Sequence, residues 1–326
     1  MKRDAAKISV VLSFYNEQAV LPELLQRLRE VFASLIASNI VASYELIFVN
    51  DSSTDESEKY LRSELKGGDI VIINMSRNFG VSECVMAGMA HASGDAVIYM
   101  DSDLQDPPEV IPQLVNAWRA DAEAEVVYTT RTRREGEHWL KMLITKIGYR
   151  FINAISEIEL QIDSGDFKLL SRRAVDNLLQ LKEDKPYMRG LVSWIGFKQI
   201  QVFYERSERF DGRENTKMNV LSRKVIYYWL DRALISFSDA PLKLMLFLGF
   251  GLSMASFFYI LVVLTQKVLG LSVPGWAAIM SAVLFLGGVQ IMMLGFIGLY
   301  ISAIFREAKR RPRYIIKEVV RCISNG

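Results

Sequence analysis

The feature that most constrains this chain lies in its last quarter, where residues 244–265 and 276–305 carry no charged side chain. A helix rises ~1.5 Å per residue, so a run of roughly 20 apolar residues crosses a hydrocarbon core of about 30 Å. Both stretches are therefore expected to span a bilayer; the alternative is a pair of buried helices in a soluble core. Gly249, Gly251, Gly287, Gly288, Gly295 and Gly298 leave room for close helix contact and for self-association of the chain. The flanking charge is asymmetric. Lys267 is the one basic residue between the stretches, whereas Arg306, Lys309, Arg310, Arg311 and Arg313 follow the second. By the positive-inside rule both ends belong in the cytoplasm, and the basic run is secondarily a contact for anionic headgroups.

The rest of the composition excludes more than it selects. A formal net charge of +2 gives no reason to expect a nucleic-acid partner. Cys84 and Cys322 lie far apart with no CxxC spacing, which argues against a disulfide framework and a thiolate metal site and fits a reducing compartment. The start, MKRDAAKISVVLSFYN, has basic residues but no long apolar segment before charges resume. The globular part is accordingly expected to stay in the cytoplasm.

From Lys7 onward short apolar runs alternate with amphipathic stretches, the pattern of an α/β domain with a largely parallel sheet. Strands are expected at residues 8–13, 44–49, 70–74, 96–100 and 125–130, with a further one near 166–170. Leu21, Leu24, Leu25, Leu28, Val31, Phe32 and Leu35 recur at helical spacing, and Pro22 is tolerated in a first turn. Further helices are expected near residues 55–65, 82–92 and 108–118, and after Glu137 and Ser171. Sheets of this kind bind ligands at the carboxyl ends of their strands. Polar clusters fall at four such ends: Asn16-Glu17, Asn50-Asp51, Ser76-Arg77-Asn78 and Asp101-Ser102-Asp103. Four converging clusters define a site. Tyr227, Tyr228 and Trp229 among Arg223, Lys224 and Arg232 suit a helix lying in the headgroup region. His91 is expected to pack or cap, and Met86 and Met89 to be core.

Asp101 and Asp103 are separated by one residue at the end of an apolar strand. Two like charges so placed raise one another's pKa, and a hard dication relieves the cost. Mg2+ favours one or two carboxylates with ligand phosphates completing its shell, which matches this pair and a diphosphate. A lone DxD is a weak signal. Its context strengthens it: AVIYM before it reads as a strand, and LQDPPE after it ends on two prolines that redirect the chain.

The stretches SVVLSFYNEQAVLPELL, ELIFVNDSSTDES and SRNFGVSECVMAGMAHASGDAVIYMDSDLQDPPE closely resemble glycosyltransferase family 2, in its dolichol-phosphate mannose synthase and bactoprenol (undecaprenyl-phosphate) glucosyltransferase branch. The likeness continues through SGDFKLLSRRAV, MRGLVSWIGF, SFSDAPLKL, FLGGVQIMMLGFIGLY and KRRPRYIIKE, nearly the whole chain. It implies a GT-A type, Rossmann-like catalytic domain over residues 1–218, followed by an interfacial amphipathic helix (219–240), a two-helix transmembrane anchor (241–305) and a basic cytoplasmic tail (306–326). It also implies a UDP-sugar donor, Mg2+ or Mn2+, a polyprenyl phosphate acceptor and a multi-pass place in the cell's inner membrane, with product destined for cell-envelope glycan or lipopolysaccharide modification. Carried over by motif, Tyr15, Asn16 and Glu17 line the nucleoside pocket and Asp51 meets the uracil. Arg77 and Ser102 join them on the donor. Asp101 and Asp103 hold the metal, Gln105 lies beside the sugar and Asp166 faces the reaction centre. Arg131 and Lys141 receive the acceptor phosphate, and Arg209 and Lys217 belong to a loop over the donor.

Three positions depart from the family pattern. Ser52 replaces a glycine, so its turn must avoid or strain toward a positive φ. Lys168 replaces an arginine, a point charge in place of a fork. RFDGRENTKM is about two residues longer than the corresponding loop. A phosphate monoester has a second pKa of about 6, so the acceptor oxygen is already a nucleophile at neutral pH and no general base is obligatory. Asp166 is accordingly expected to position the sugar or stabilise the oxocarbenium-like centre, with a base role as the alternative, and in-line attack inverts the anomeric configuration. Glucose is the sugar the bactoprenol branch implies; N-acetylglucosamine, mannose or an aminosugar is the alternative. A processive polysaccharide synthase would carry QxxRW, which is absent. A non-catalytic membrane scaffold would gain nothing from a charged cleft.

Overall fold

The computed structural model of the protein describes residues 3–131, 164–183, 186–207, 210, 212, 240–270 and 275–322. The helical run after Glu137 and the interfacial helix lie outside these residues. Eight strands form one sheet: β1 (Ala6–Phe14), β2 (Val41–Asn50), β3 (Ile70–Met75), β4 (Ala96–Asp101), β5 (Val126–Arg131), β6 (Ser164–Ser171), β7 (Gln199–Tyr204) and β8 (Ile316–Arg321), in the order β7-β5-β6-β4-β1-β2-β3-β8. The helices of the globular part are α1 (Leu21–Ala37), α2 (Ser57–Glu64), α3 (Val81–His91), α4 (Ile111–Ala120), α5 (Arg172–Gln180) and α6 (Met188–Trp194). Strands β1 to β4 run parallel, β6 is antiparallel to β4 and β5, and β8 is antiparallel to β3.

Alternation along the strands sorts the core into two layers. Val10, Leu12, Leu46, Phe48 and Ile98 point to one face, where they meet α1 and α4. Val11, Ile47, Val49, Val97 and Tyr99 point to the other, against α3, α5 and α6. With both faces covered, the central strands are predominantly apolar, as buried parallel sheets require. The apolar stripe foreseen on α1 is buried at Leu21, Leu24, Leu25, Leu28, Phe32 and Leu35. Met86 and Met89 are core, and the His91 ring sits 2.9 Å from the Ala87 carbonyl of its own helix.

Helices α7 (Ala240–Val268) and α8 (Trp276–Ala308) follow. Within them Phe247–Gln266 and Phe285–Ala308 are long and apolar enough to cross a membrane, and neither stretch is buried against the protein. A basic tail is expected after α8, over residues 306–326. The structure instead brings the chain back to the sheet as β8, paired along β3 from Ile316 to Arg321, with the Ser76 amide donating to the Ile315 carbonyl at 2.9 Å. Six apolar or charged residues with no strong alternation gave little warning of an edge strand.

Candidate active site

Antiparallel β6 begins at the edge where β1 to β4 end. Two residues beyond the Tyr99–Lys168 pair come Asp101 on β4 and Asp166 on β6, so the register itself brings these carboxylates together. Arg131 closes β5 at the same edge, and the Arg131–Tyr204 pair carries β7 and the following Arg206 there too.

The turn after β4 is tightly specified. Ser13 stands opposite Asp101, and the buried Ser102 hydroxyl donates to the Ser13 carbonyl at 2.8 Å. An Asp103 carboxylate oxygen accepts from the Gln105 amide at 3.0 Å, which closes the turn over Leu104, a buried residue at φ +58°. The carbonyl of buried Gln105 accepts from the Ser207 amide at 3.0 Å, tying this turn to the segment after β7. Asp106 is buried, accepts a hydrogen bond from the Tyr204 hydroxyl and lies 3.8 Å from Arg206.

Charge at this edge is strongly perturbed. Burial, then the neighbouring Asp166, Asp103 and Asp106 carboxylates, push Asp101 up to about 7, with Arg206 opposing. Burial also raises Asp106 against its Tyr204 hydrogen bond, Arg206 and Arg131. Asp166 goes the other way. Burial would raise it, but Arg189, with Lys168 and Arg131 adding to it, outweighs burial and holds it below the usual carboxylate range. The Arg189 guanidinium donates from Nε to one Asp166 oxygen at 2.9 Å and from Nη2 to the other at 2.6 Å. Lys168, fully buried, is pushed down to about 8 by burial, against the pull of Asp166. The bidentate fork lost at position 168 is thus present, delivered to the same carboxylate from α6.

Asp101 and Asp103 are both partly accessible, and their carboxylates repel across this edge. Among the described residues no third acidic, histidine or cysteine side chain completes a metal cage. That donor set suits a hard dication whose remaining ligands come from a substrate diphosphate. Beside it lies a cavity of about 200 Å³, lined in part by Tyr15, Glu17, Asp51, Asp101, Ser102 and Asp103. Asp51 lines this space while both its oxygens are engaged, accepting from the Phe79 and Gly80 amides at 2.7 and 2.9 Å at the entry to α3. Asn16 acts between loops: its side chain accepts from the Thr54 amide at 2.8 Å and its own amide donates to Ser53 at 3.1 Å. Arg77 stacks 4.0 Å over the Phe79 ring, donates to the Asn78 carbonyl and is not among the residues lining the cavity. Arg209, Lys217 and Lys141 lie outside the described residues. Arg189, Asp106, Tyr204 and Arg206 were not singled out from sequence; only Asp106 and Arg189 lie in motifs quoted for the resemblance.

A Rossmann-like sheet with a DxD turn and an acidic, arginine-braced edge defines a GT-A type glycosyltransferase. Residues 9–179 match the family model for glycosyl transferase family 2, and the chain belongs to that family. An uncharacterized glycosyltransferase of Synechocystis is 40% identical over 96% of this chain and 95% of its own length. A prophage bactoprenol glucosyl transferase homolog of Escherichia coli K12 is 35% identical over 96% of this chain and 99% of its own. Among solved structures, glucosyl-3-phosphoglycerate synthase from Mycobacterium tuberculosis with Mn2+, UDP and glucosyl-3-phosphoglycerate is 23% identical, with a TM-score of 0.46 over 72% of this chain and 82% of that one. A Pyrobaculum calidifontis mannosyltransferase with GDP-Man and Mn2+ is 16% identical, with a TM-score of 0.45 over 94% and 88%.

Proposed function

We propose that this enzyme transfers glucose from UDP-glucose to a polyprenyl phosphate with inversion, at the cytoplasmic face of the cell membrane. The observation that carries the acceptor assignment is the return of the chain from α8 into the sheet. Residues 309–315 alone separate the end of α8 from the Ser76–Ile315 hydrogen bond at the carboxyl edge. Seven residues reach at most about 25 Å, and β4 stands three strands from β3 at about 4.8 Å each, so the acidic edge lies within about 40 Å of the end of a candidate span. A lipid-borne phosphate is the acceptor such an arrangement favours, and bactoprenol glucosyl transferases among the relatives support it.

Mg2+ or Mn2+ held by Asp101 and Asp103 would neutralise the charge developing on the departing diphosphate. Tyr15, Glu17 and Asp51 would border the nucleoside. Arg131, close enough to act on both Asp106 and Asp166, would receive the acceptor phosphate. Asp166 is ill suited to be a base, since both its oxygens are held by Arg189 and its pKa is depressed. It keeps a fixed negative charge where positive character develops on the sugar, and the acceptor dianion needs no proton removed.

The test is to incubate membranes containing the full-length protein with undecaprenyl phosphate, Mg2+ and a panel of nucleotide sugars, and to weigh the lipid product. A hexosyl lipid from UDP-glucose is expected, and Asp103→Ala should lose it. Another sugar on the lipid corrects the donor alone. No glycosyl lipid from any donor sinks the reading.

A further inference from the structure

A second cavity, of about 670 Å³, lies where α8 ends and shares no lining residue with the first. Among the described residues it is lined by Lys182, from the segment after α5, and by Arg306, Arg310, Arg311 and Arg313, with Glu307. Arg310 takes φ +49°, turning the chain sharply as the helix stops. Lys182, Arg310 and Arg311 have no carboxylate partner among the described residues. Five cations thus surround a solvent-sized space against one lining carboxylate, and Glu183 next to Lys182 adds a second acid nearby. The helix entering this cavity is apolar up to its last turn, with Ile301, Ile304 and Phe305 exposed.

We propose that this cleft binds the phosphate headgroup of an anionic phospholipid, whose acyl chains lie along α8. The proposal rests on reading α8 as a membrane span. Cations such as Lys182, Arg310 and Arg311 at a membrane boundary attract anionic lipid generally. What is specific here is their convergence on one concavity built from two elements, one on the span and one on the globular domain. A lipid held there bridges the anchor to the loop joining α5 to α6, the helix that carries Arg189. A free phosphate would satisfy the arginines but would leave Ile301, Ile304 and Phe305, exposed on α8 just before the cleft, unused, which favours the lipid.

The full-length protein, in neutral-lipid micelles, is titrated with phosphatidylglycerol or phosphatidylcholine of equal chain length, and adducts are counted by native mass spectrometry. Wild type is expected to retain phosphatidylglycerol selectively. The variant Lys182→Gln/Arg310→Gln/Arg311→Gln should lose about a hundredfold in apparent affinity, at roughly fivefold per cation. Lys309→Gln/Lys317→Gln/Arg321→Gln changes the net charge of the chain equally without altering a residue that lines the cleft and should bind as wild type does. Equal retention of both lipids, equal loss in both variants, displacement by glycerol phosphate at matched concentration, or one-for-one displacement by polyprenyl phosphate would each overturn the cleft. Alkaline extraction separates the two readings: release of wild type from membranes sinks the span itself, whereas retention without lipid selectivity sinks only the cleft.

Discussion

At the scale of single residues, the site edge combines strain and charge in ways that sequence shows unevenly. Asn16, Ser52 and Leu104 adopt φ of +57°, +64° and +58° in the loops after β1, β2 and β4. Ser52 was legible, because a serine standing where relatives use glycine must either avoid this region or enter it, and it enters. Leu104 was not, since nothing about a leucine announces a left-handed turn; a non-glycine residue there costs about 1–2 kcal/mol and persists only where its surroundings over-determine it. The Asp166–Arg189 pair was equally hidden, because it joins strand and helix across 23 residues of sequence. Arg189→Lys replaces the fork by a point charge, so Asp166 should lose its fixed orientation. We expect kcat to fall by about 10 to 100-fold while KM for the nucleotide sugar stays within about twofold. Full activity, or a loss confined to KM, would remove Arg189 from its positioning role. A second residue titrates in an informative range. Burial, then Glu307, push Glu183 up to about 7, with Arg313 opposing. Because the folded pKa exceeds the unfolded one, the stability Glu183 contributes is complete below about 4.5 and is lost as pH rises through about 7. Glu183→Gln should therefore melt above wild type at pH 8 and level with it near pH 4; a gap of equal size at both would contradict the assignment.

At the scale of elements, periodicity located β1 to β6 and α1 to α5 because each carries a continuous apolar face that burial enforces. It missed β7 and β8 because edge strands bury little: Phe203 stands 59% exposed on β7, and β8 alternates weakly. Close packing between α3 and the sheet was also invisible, although Gly88 marks it. A Cβ at Gly88 would sit 2.3 Å from Val11 Cγ1 and 3.1 Å from Val49 Cγ2, so α3 approaches β1 and β2 too closely for any side chain. Since α3 starts at the turn held by Asp51, shifting it moves the wall of the cavity that Asp51, Val81 and Cys84 line. Gly88→Ala should cost roughly 1–3 kcal/mol by overpacking. Thermal unfolding of the solubilised protein measures it, and an unchanged melting temperature would mean that α3 can retreat freely.

At the scale of the whole molecule, β8 ties the candidate span α8 to the sheet. The Glu318 side chain accepts from Asn74 at 2.9 Å and pairs with Arg62, so the strand is fixed by side chains as well as by its ladder. If α8 crosses the membrane and β8 pairs with β3, residues beyond α8 must share a side with the site edge. The chain carries its own reporter. Cys322 follows β8 and is exposed, whereas Cys84 is buried, its thiol pushed up by burial and by Asp51, and should not react. An impermeant maleimide should label Cys322 in inside-out vesicles and spare it in right-side-out ones, as the positive-inside rule requires of a tail bearing Arg310, Arg311 and Arg313. Protease should reach the globular domain in those same inside-out vesicles. Labelling of intact right-side-out vesicles would place the tail outside and defeat the cytoplasmic assignment. If label and protease instead act from opposite faces, β8 cannot pair with β3 within one chain, and the link between anchor and active edge fails with it.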